Sequence, residues 1–345
     1  MSRPLLALTL GDPNGIGPEV VLKAAADGRV RAAARVVAVG GGAVLREQAE
    51  RLGLGPVCGV ASVADADDHP ALAVLDTAPP GAGRPAAFAW GETTAEGGAQ
   101  AAAAVARACD LCLDGSVDGM VTAPLSKEAV HRAGFAFPGH TEFLQERTGA
   151  GTVVMLLASE TARGPLRVAL VTVHVPVATV ADLVTRDRVE AVCRTLAASL
   201  RRDLGVAAPR LAVLGLNPHA GDGGVIGREE VDVVRPALDA LRADGLDVAG
   251  PFPADAFFGR AAWAQFDAVV AMYHDQGLAP FKAVAQGAGV NVTLGLPIVR
   301  TSPDHGTAFD LAGRGEADPS SMVEAVLLAA RMAERRAGRV GQAAP

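Results

Sequence analysis

The sequence predicts an α/β protein with room for two lobes. Apolar runs of about five to eight residues alternate with longer amphipathic stretches, the pattern of buried strands joined by helices. The chain has 345 residues, 50% hydrophobic and 20% charged, so a large core can form. In order, "LLALTL" (5–10) is an apolar run that Asp12 and Pro13 end, and it reads as the first strand. "GPEVVLKAAAD" follows as a helix, with Pro18 in the first turn, where a missing N–H costs nothing. "ARVVAVG" (34–40) is the next strand, and the Pro/Gly-rich "DTAPPGAGRPAAFAWGE" (76–92) is a loop. The Ala-rich "AQAAAAVARACDLCLDG" reads as a helix and "GMVTAP" (119–124) as a strand. "VVMLLA" (153–158), "LRVALVTVH" (166–174), "RLAVLGLN" (210–217), "AVVAMYH" (268–274) and "VNVTLGLP" (290–297) complete the strands. Helices lie at "RDRVEAVCRTLAASLRRDLG", "GREEVDVVRPALDALRADG" and "SSMVEAVLLAARMAERRAG". The tail "RAGRVGQAAP" is expected to be disordered.

The formal net charge of −7 argues against a nucleic-acid or anionic-membrane surface. The N-terminal "MSRPLLALTLGDPNG" suits a strand better than a signal peptide or a membrane span. Of the four cysteines, Cys109 and Cys112 form a C-x-x-C on one helix face with no second pair, so packing explains them better than zinc or redox chemistry. A reducing, cytoplasmic compartment fits that usage.

Three apolar strands deliver a histidine at or just past their carboxyl ends: His174, His219 in "LNPHAGDGG", and His274 in "MYHDQG". Ligands bind at that edge of open parallel sheets. One such histidine is ordinarily a packed or backbone-bonded residue, but three in similar positions point to a shared metal site. Three imidazoles with open positions suit Zn²⁺, Co²⁺, Ni²⁺ or Fe²⁺ better than Mg²⁺, and match a catalytic arrangement. His69 and His131 read as surface residues. His140 and His305 sit in glycine-flanked turns, "FPGHTEF" and "SPDHGTAF".

The glycine loop "TLGDPNGIGPEV" has G-x-x-x-G-x-G spacing, neither a Rossmann nor a Walker pattern, and a tight strand-to-helix connection explains it equally well. Lys282, Asn291 and Arg300 are candidates for holding a phosphate, Arg bidentately and Lys as a point charge.

Together "GDPNGIGPEV", "TAPLSKEAV", "GHTEFL", "GLNPHAGDGGVIGREE", "PADAFF", "MYHDQGLAPFK" and "GVNVTLGLPIVRTSPDHGTAFDLAG" resemble, in order from about residue 5 to 330, the 4-hydroxythreonine-4-phosphate dehydrogenases of vitamin B6 biosynthesis. Two blocks are also similar to isocitrate and isopropylmalate dehydrogenases. The resemblance implies two α/β/α lobes with the active site in the cleft between them. By analogy, 1–128 plus 294–345 would form the nucleotide-side lobe and 129–293 the metal-ligand lobe. It implies a homodimer with shared active sites and one divalent metal (Zn, Mg or Co) on His174, His219 and His274. His140, Thr141, Lys282, Asn291 and Arg300 would contact the phosphorylated substrate. NAD or NADP would lie along His305, Gly306, Asp310 and Leu311. The implied reaction oxidises 4-phosphooxy-L-threonine to a 3-oxo acid that decarboxylates to 3-amino-2-oxopropyl phosphate. Asp275, Asp255 and Lys282 are the candidate proton acceptors, although a helix N-cap explains Asp255 as well. Within the family, threonate or erythronate 4-phosphate or another diol is the alternative substrate. A metal-dependent phosphohydrolase is the rival of another class, and the "DHGTAFDLAG" loop speaks against it, whereas a non-catalytic phosphate-binding protein would not need metal ligands at three strand ends.

Overall fold

The structure, a computed structural model, describes residues 3–66, 71–77, 89–135 and 139–338. His69, most of the Pro/Gly-rich 76–92 segment and most of the C-terminal tail lie outside them. The described chain is α/β, as expected, and divides into two compact units, 1–149 with 296–345, and 150–295. The first boundary falls at residue 149 rather than 128, because the helices Lys127–Arg132 and His140–Thr148 pack on the Ala95–Leu113 helix of the first unit.

The first unit contains β1 (Leu5–Thr9), β2 (Arg35–Gly40), β3 (Val57–Val60), β4 (Leu72–Asp76), β5 (Gly119–Thr122) and β12 (Arg300–Pro303). Their order is β3-β4-β2-β1-β5-β12, all neighbours parallel. β1 and β5 are buried throughout, which is why they read as unbroken apolar runs rather than alternating ones. β3, β4 and β12 were not anticipated. Val57–Val60 is only half-buried, and Arg300–Pro303 carries Arg, Thr, Ser and Pro, so neither presents an apolar run.

The second unit contains β6 (Val154–Thr161), β7 (Gly164–Leu170), β8 (Arg210–Leu214), β9 (Asp247–Phe252), β10 (Ala268–Ala271) and β11 (Val290–Leu294), ordered β11-β6-β7-β10-β8-β9. β7, β10, β8 and β9 are parallel, whereas β6 runs antiparallel to both β7 and β11. Its core gathers Leu157, Leu166, Val168, Leu214, Trp263 and Phe281 between sheet and helices. The expected 227–245 helix begins instead with a π turn at Glu230–Val234 before the α-helix Arg235–Ala243. The half-buried thiol of Cys112 and the buried thiols of Cys109 and Cys193 sit among packed side chains, and burial pushes the Cys109 thiol up to about 11.

Candidate active site

The parallel β7, β10 and β8 are neighbours in the sheet, so the segments that leave their carboxyl ends emerge side by side. Those segments carry His174, His274 and His219. None of the three sits in a strand, because each strand stops three to five residues earlier, at Leu170, Ala271 and Leu214. Past β7 the chain stays tied to its neighbour: Val171 N donates to Ala271 O at 2.9 Å, Thr172 N to Met272 O at 3.1 Å and Thr172 Oγ1 to Met272 O at 2.7 Å. Gln276 joins the other two exits, accepting from Met272 N at 2.7 Å and donating to Gly215 O at 2.7 Å. Sequence reasoning passed over Thr172 and Gln276, because a lone hydroxyl or amide carries no motif.

His174 is exposed, and its ring centroid lies 5.5 Å from that of His274 at an interplanar angle of 44°. His274 is the first residue of the His274–Ala285 helix rather than the last of a strand. Its Nδ1 lies 2.7 Å from Asp275 Oδ1. A carboxylate there favours the proton on Nδ1 and leaves the Nε2 lone pair for a ligand, as outer carboxylates do beside metal-bound histidines. Two imidazoles that converge in this way suit a borderline divalent metal. His219 occupies a turn of left-handed backbone (φ 55°). Among the described residues no three His, Cys, Asp or Glu side chains are arranged to hold a metal, so His219 does not complete the pair within one chain.

Asp275 is bonded to His274 and 84% exposed on its side chain. Asp255 is exposed in the first turn of the Ala254–Gly259 helix, whose N-cap is Pro253, so the capping role does not apply to it. Lys282 lies in the last turn of the helix that His274 opens. It stands eight positions further along the helix, a rise of roughly 12 Å along the axis. Asn291 pairs with Leu157 in β11, and its Oδ1 is buried with no hydrogen-bond partner. That acceptor is suited to a ligand O–H or N–H.

The anion candidates of the first unit form a second group. Arg300 is buried at the start of β12 and donates from Nε and Nη2 to Thr122 Oγ1 at 3.2 and 2.7 Å. Burial pushes its guanidinium down to about 10. His140 opens the His140–Thr148 helix, with Thr141 half-buried beside it. Its Nε2 is enclosed and has no hydrogen-bond partner. Burial first, then the charges of Arg300 and Lys127, hold its pKa well below 6.5, so the ring is neutral near pH 7. Lys127 escaped notice in the sequence, yet a Cβ on Gly139 would lie 3.9 Å from its Nζ. A neutral imidazole between two cations, with an unused nitrogen, is the electrostatic setting of an anion site.

The depressed pKa of His140 has a definite sign in stability. Its contribution is complete above pH 6.5 and is lost as pH falls through the lower native value, because protonation favours the unfolded chain. His140→Gln is expected to flatten the pH dependence of the urea midpoint below pH 6.5. An unchanged slope would show that the ring is not buried in this way.

The glycine loop that the sequence left ambiguous lies against the segment expected to hold a nucleotide. Ile16 N donates to Thr307 O at 3.0 Å, and a Cβ on Gly15 would come within 2.9 Å of that same oxygen. Glycine is there for close approach of two loops. His305 is exposed, its Nδ1 3.1 Å from Gly306 O, while Asp310 and Leu311 fall in a short 3₁₀ turn, Phe309–Leu311. Asp12, not foreseen, is buried in the glycine loop with Oδ2 unpartnered, and burial raises its pKa.

A family profile described as "Pyridoxal phosphate biosynthetic protein PdxA" matches residues 32–329. The chain is 49% identical to a 4-hydroxythreonine-4-phosphate dehydrogenase of Chromobacterium violaceum, with 99% of each chain covered. The crystal structure of a 4-hydroxythreonine-4-phosphate dehydrogenase from Klebsiella pneumoniae superposes with a TM-score of 0.83 at 41% identity, covering 96% of this chain and 99% of that one. A terephthalate 1,2-cis-dihydrodiol dehydrogenase from Burkholderia xenovorans LB400 superposes with a TM-score of 0.64 at 31% identity, over 95% and 98% of the two chains.

Proposed function

The chain belongs to the PdxA family of pyridoxal phosphate biosynthetic proteins, and from that premise we propose how its residues divide the work of a 4-hydroxythreonine-4-phosphate dehydrogenase. The C3 hydroxyl of 4-phosphooxy-L-threonine is oxidised. Its C–H hydride passes to NAD or NADP and its O–H proton to a base. The 3-oxo acid then loses CO₂ to leave 3-amino-2-oxopropyl phosphate. The observation that carries this reading is the imidazole pair His174–His274 with its Asp275 carboxylate. His174 and His274 would hold one divalent metal (Zn, Mg or Co), and His219 of a second copy of the chain would supply the third imidazole. A divalent ion bound there lowers the pKa of the substrate hydroxyl and draws electron density from the carbonyl during decarboxylation.

The other residues bind and orient. Of the first unit, Arg300 and the Nε2–H tautomer of His140 would donate to the phosphate, with Thr141 beside them; of the second, Lys282 would offer a point charge. Asn291 Oδ1 accepts from the substrate's ammonium or hydroxyl. Asp275 keeps His274 in the liganding tautomer, which leaves Asp255 as the proton acceptor, Lys282 being engaged as a cation at the phosphate. His305, Gly306, Asp310 and Leu311, on the segment that the glycine loop packs against, would hold the nicotinamide cofactor. The direct test follows nicotinamide reduction with 4-phosphooxy-L-threonine, NAD or NADP, with and without a chelator. Threonate and erythronate 4-phosphates serve as competing substrates. Turnover that survives complete removal of metal would exclude this assignment.

A homodimer follows from the same reading. A second copy that brings its own His219 to the His174–His274 pair would cover the chain beside these residues, where Val177 and Val225, three residues after His174 and six after His219, are 78% and 83% exposed. No helix among the described residues is long and apolar enough to cross a membrane, so these side chains are not part of such a span. Val225→Asp is expected to shift the sedimenting species from two chains to one and to remove activity with it. A fully active dimeric variant would count against the shared site.

A further inference from the structure

We infer that Glu230 is a positioning residue: its buried carboxylate holds the left-handed turn that presents His219. The inference rests on the metal reading above and concerns a residue to which that reading gives no part. The turn is unusual for L-amino acids. His219, Ala220 and Asp222 have φ of 55°, 51° and 43°, interleaved with Gly221 at 77° and Gly223 at 68°. Non-glycine residues enter this region only singly as a rule, because Cβ crowds the following carbonyl. Such a run persists only where the surroundings hold it.

Glu230 is what holds it. The residue is 1% exposed, and its two oxygens grip the start of the turn from one side. Oε1 accepts from Asn217 N at 2.7 Å, and Oε2 accepts from Asn217 Nδ2 at 3.0 Å. The second proton of that amide goes to Glu229 Oε2 at 2.7 Å, so two consecutive carboxylates fix one side chain. The carboxylate also packs where the chain has no side chains. A Cβ on Gly215 would lie 3.0 Å from Oε1, and one on Gly221 would lie 2.5 Å from Oε2. Glycine before the turn and glycine within it make the space that Glu230 fills. Asn217 O in turn accepts from Ala220 N at 3.1 Å, and buried Ala220 anchors the turn next to His219. Glu230 begins the π turn Glu230–Val234, a distortion frequent at functional sites. A buried carboxylate needed only for stability would be satisfied by any donors. This one takes both donors of the residue two before His219.

The test measures Co²⁺ binding to the full-length protein, by the visible absorption of the bound ion, in wild type, Glu230→Gln, Glu230→Ala and His219→Ala. Glu230→Gln keeps an acceptor for Asn217 N but sets an amide N–H against Asn217 Nδ2 in place of the bond there. Affinity is therefore expected to fall in the order wild type, Gln, Ala, by about 10- to 100-fold overall, the usual range for residues that orient a ligand. Amide exchange in 217–226 should quicken while the variants still melt cooperatively. Co²⁺ affinity equal to wild type in both Glu230 variants, with His219→Ala weakened, would overturn the role of Glu230 and leave the metal reading intact. If His219→Ala binds Co²⁺ as wild type does, the metal reading itself fails. Should the Glu230 variants not fold, Gly221→Ala strikes the same contact from the turn side. It should weaken Co²⁺ binding in the same range, and wild-type affinity in that variant would equally overturn the proposal.

Discussion

His274→Ala is expected to lower kcat by about 10²- to 10³-fold while the protein melts within a few degrees of wild type. The size follows from what the imidazole does. Polarisation of the reacting oxygen by a bound ion is worth several kcal/mol, and each 1.36 kcal/mol is tenfold in rate. Removing one of two converging rings leaves His174 without its 5.5 Å neighbour and Asp275 without the Nδ1 that it fixes. The stability cost is small because the His274 side chain is 34% exposed and packs little core. Asp275→Asn should cost less, about tenfold, because it loosens the tautomer and the ring orientation without removing the ligand. Metal content measured beside kcat checks both variants. A His274→Ala enzyme with full metal and full turnover would end the assignment.

Arg300→Ala should separate affinity from stability. KM for the phosphorylated substrate is expected to rise by about 10- to 100-fold, from loss of charge-assisted hydrogen bonds worth about 1.5–3 kcal/mol. Stability should change little, because the relief of a buried charge is set against the cavity that truncation of a buried side chain leaves. Burial pushes this guanidinium down to about 10 against the opposing charge of Glu142, so the folded protein bears a cost for keeping it charged at neutral pH. The sign follows from linkage: a base with a depressed native pKa favours the folded state only above its unfolded value and loses that contribution as pH falls through about 10. Arg300→Lys should recover little affinity, since an ammonium cannot reproduce the planar fork. The measurements are KM, kcat and the urea midpoint for each variant. An unchanged KM would remove Arg300 from the phosphate site.

Much of the fold was legible because burial leaves a local mark. β1, β5 and β10 are buried on both faces and read as short unbroken apolar runs, and the helix Arg186–Leu204 shows its capped start and apolar stripe directly. β12 could not be seen in this way. Its Arg300 is buried for a charge and its Thr301 for a hydrogen bond to Ala325 O at 2.8 Å, and neither leaves hydrophobic periodicity. The three histidines were legible as a pattern of strand exits. Their settings were not: His274 opens a helix and His219 rides a left-handed turn.

By itself the sequence determined the α/β class, the order of most elements, the family motifs and the residue types available for chemistry, because these depend on local periodicity and on side-chain identity. Only the tertiary structure decided that His174 and His274 converge, that His140 is neutral beside Lys127 and Arg300, and that Glu230 grips Asn217. These are contacts and burials among residues distant in the chain. A side chain's protonation and its bonding partners are set by the low-dielectric surroundings that the fold assembles, and no stretch of sequence contains those surroundings.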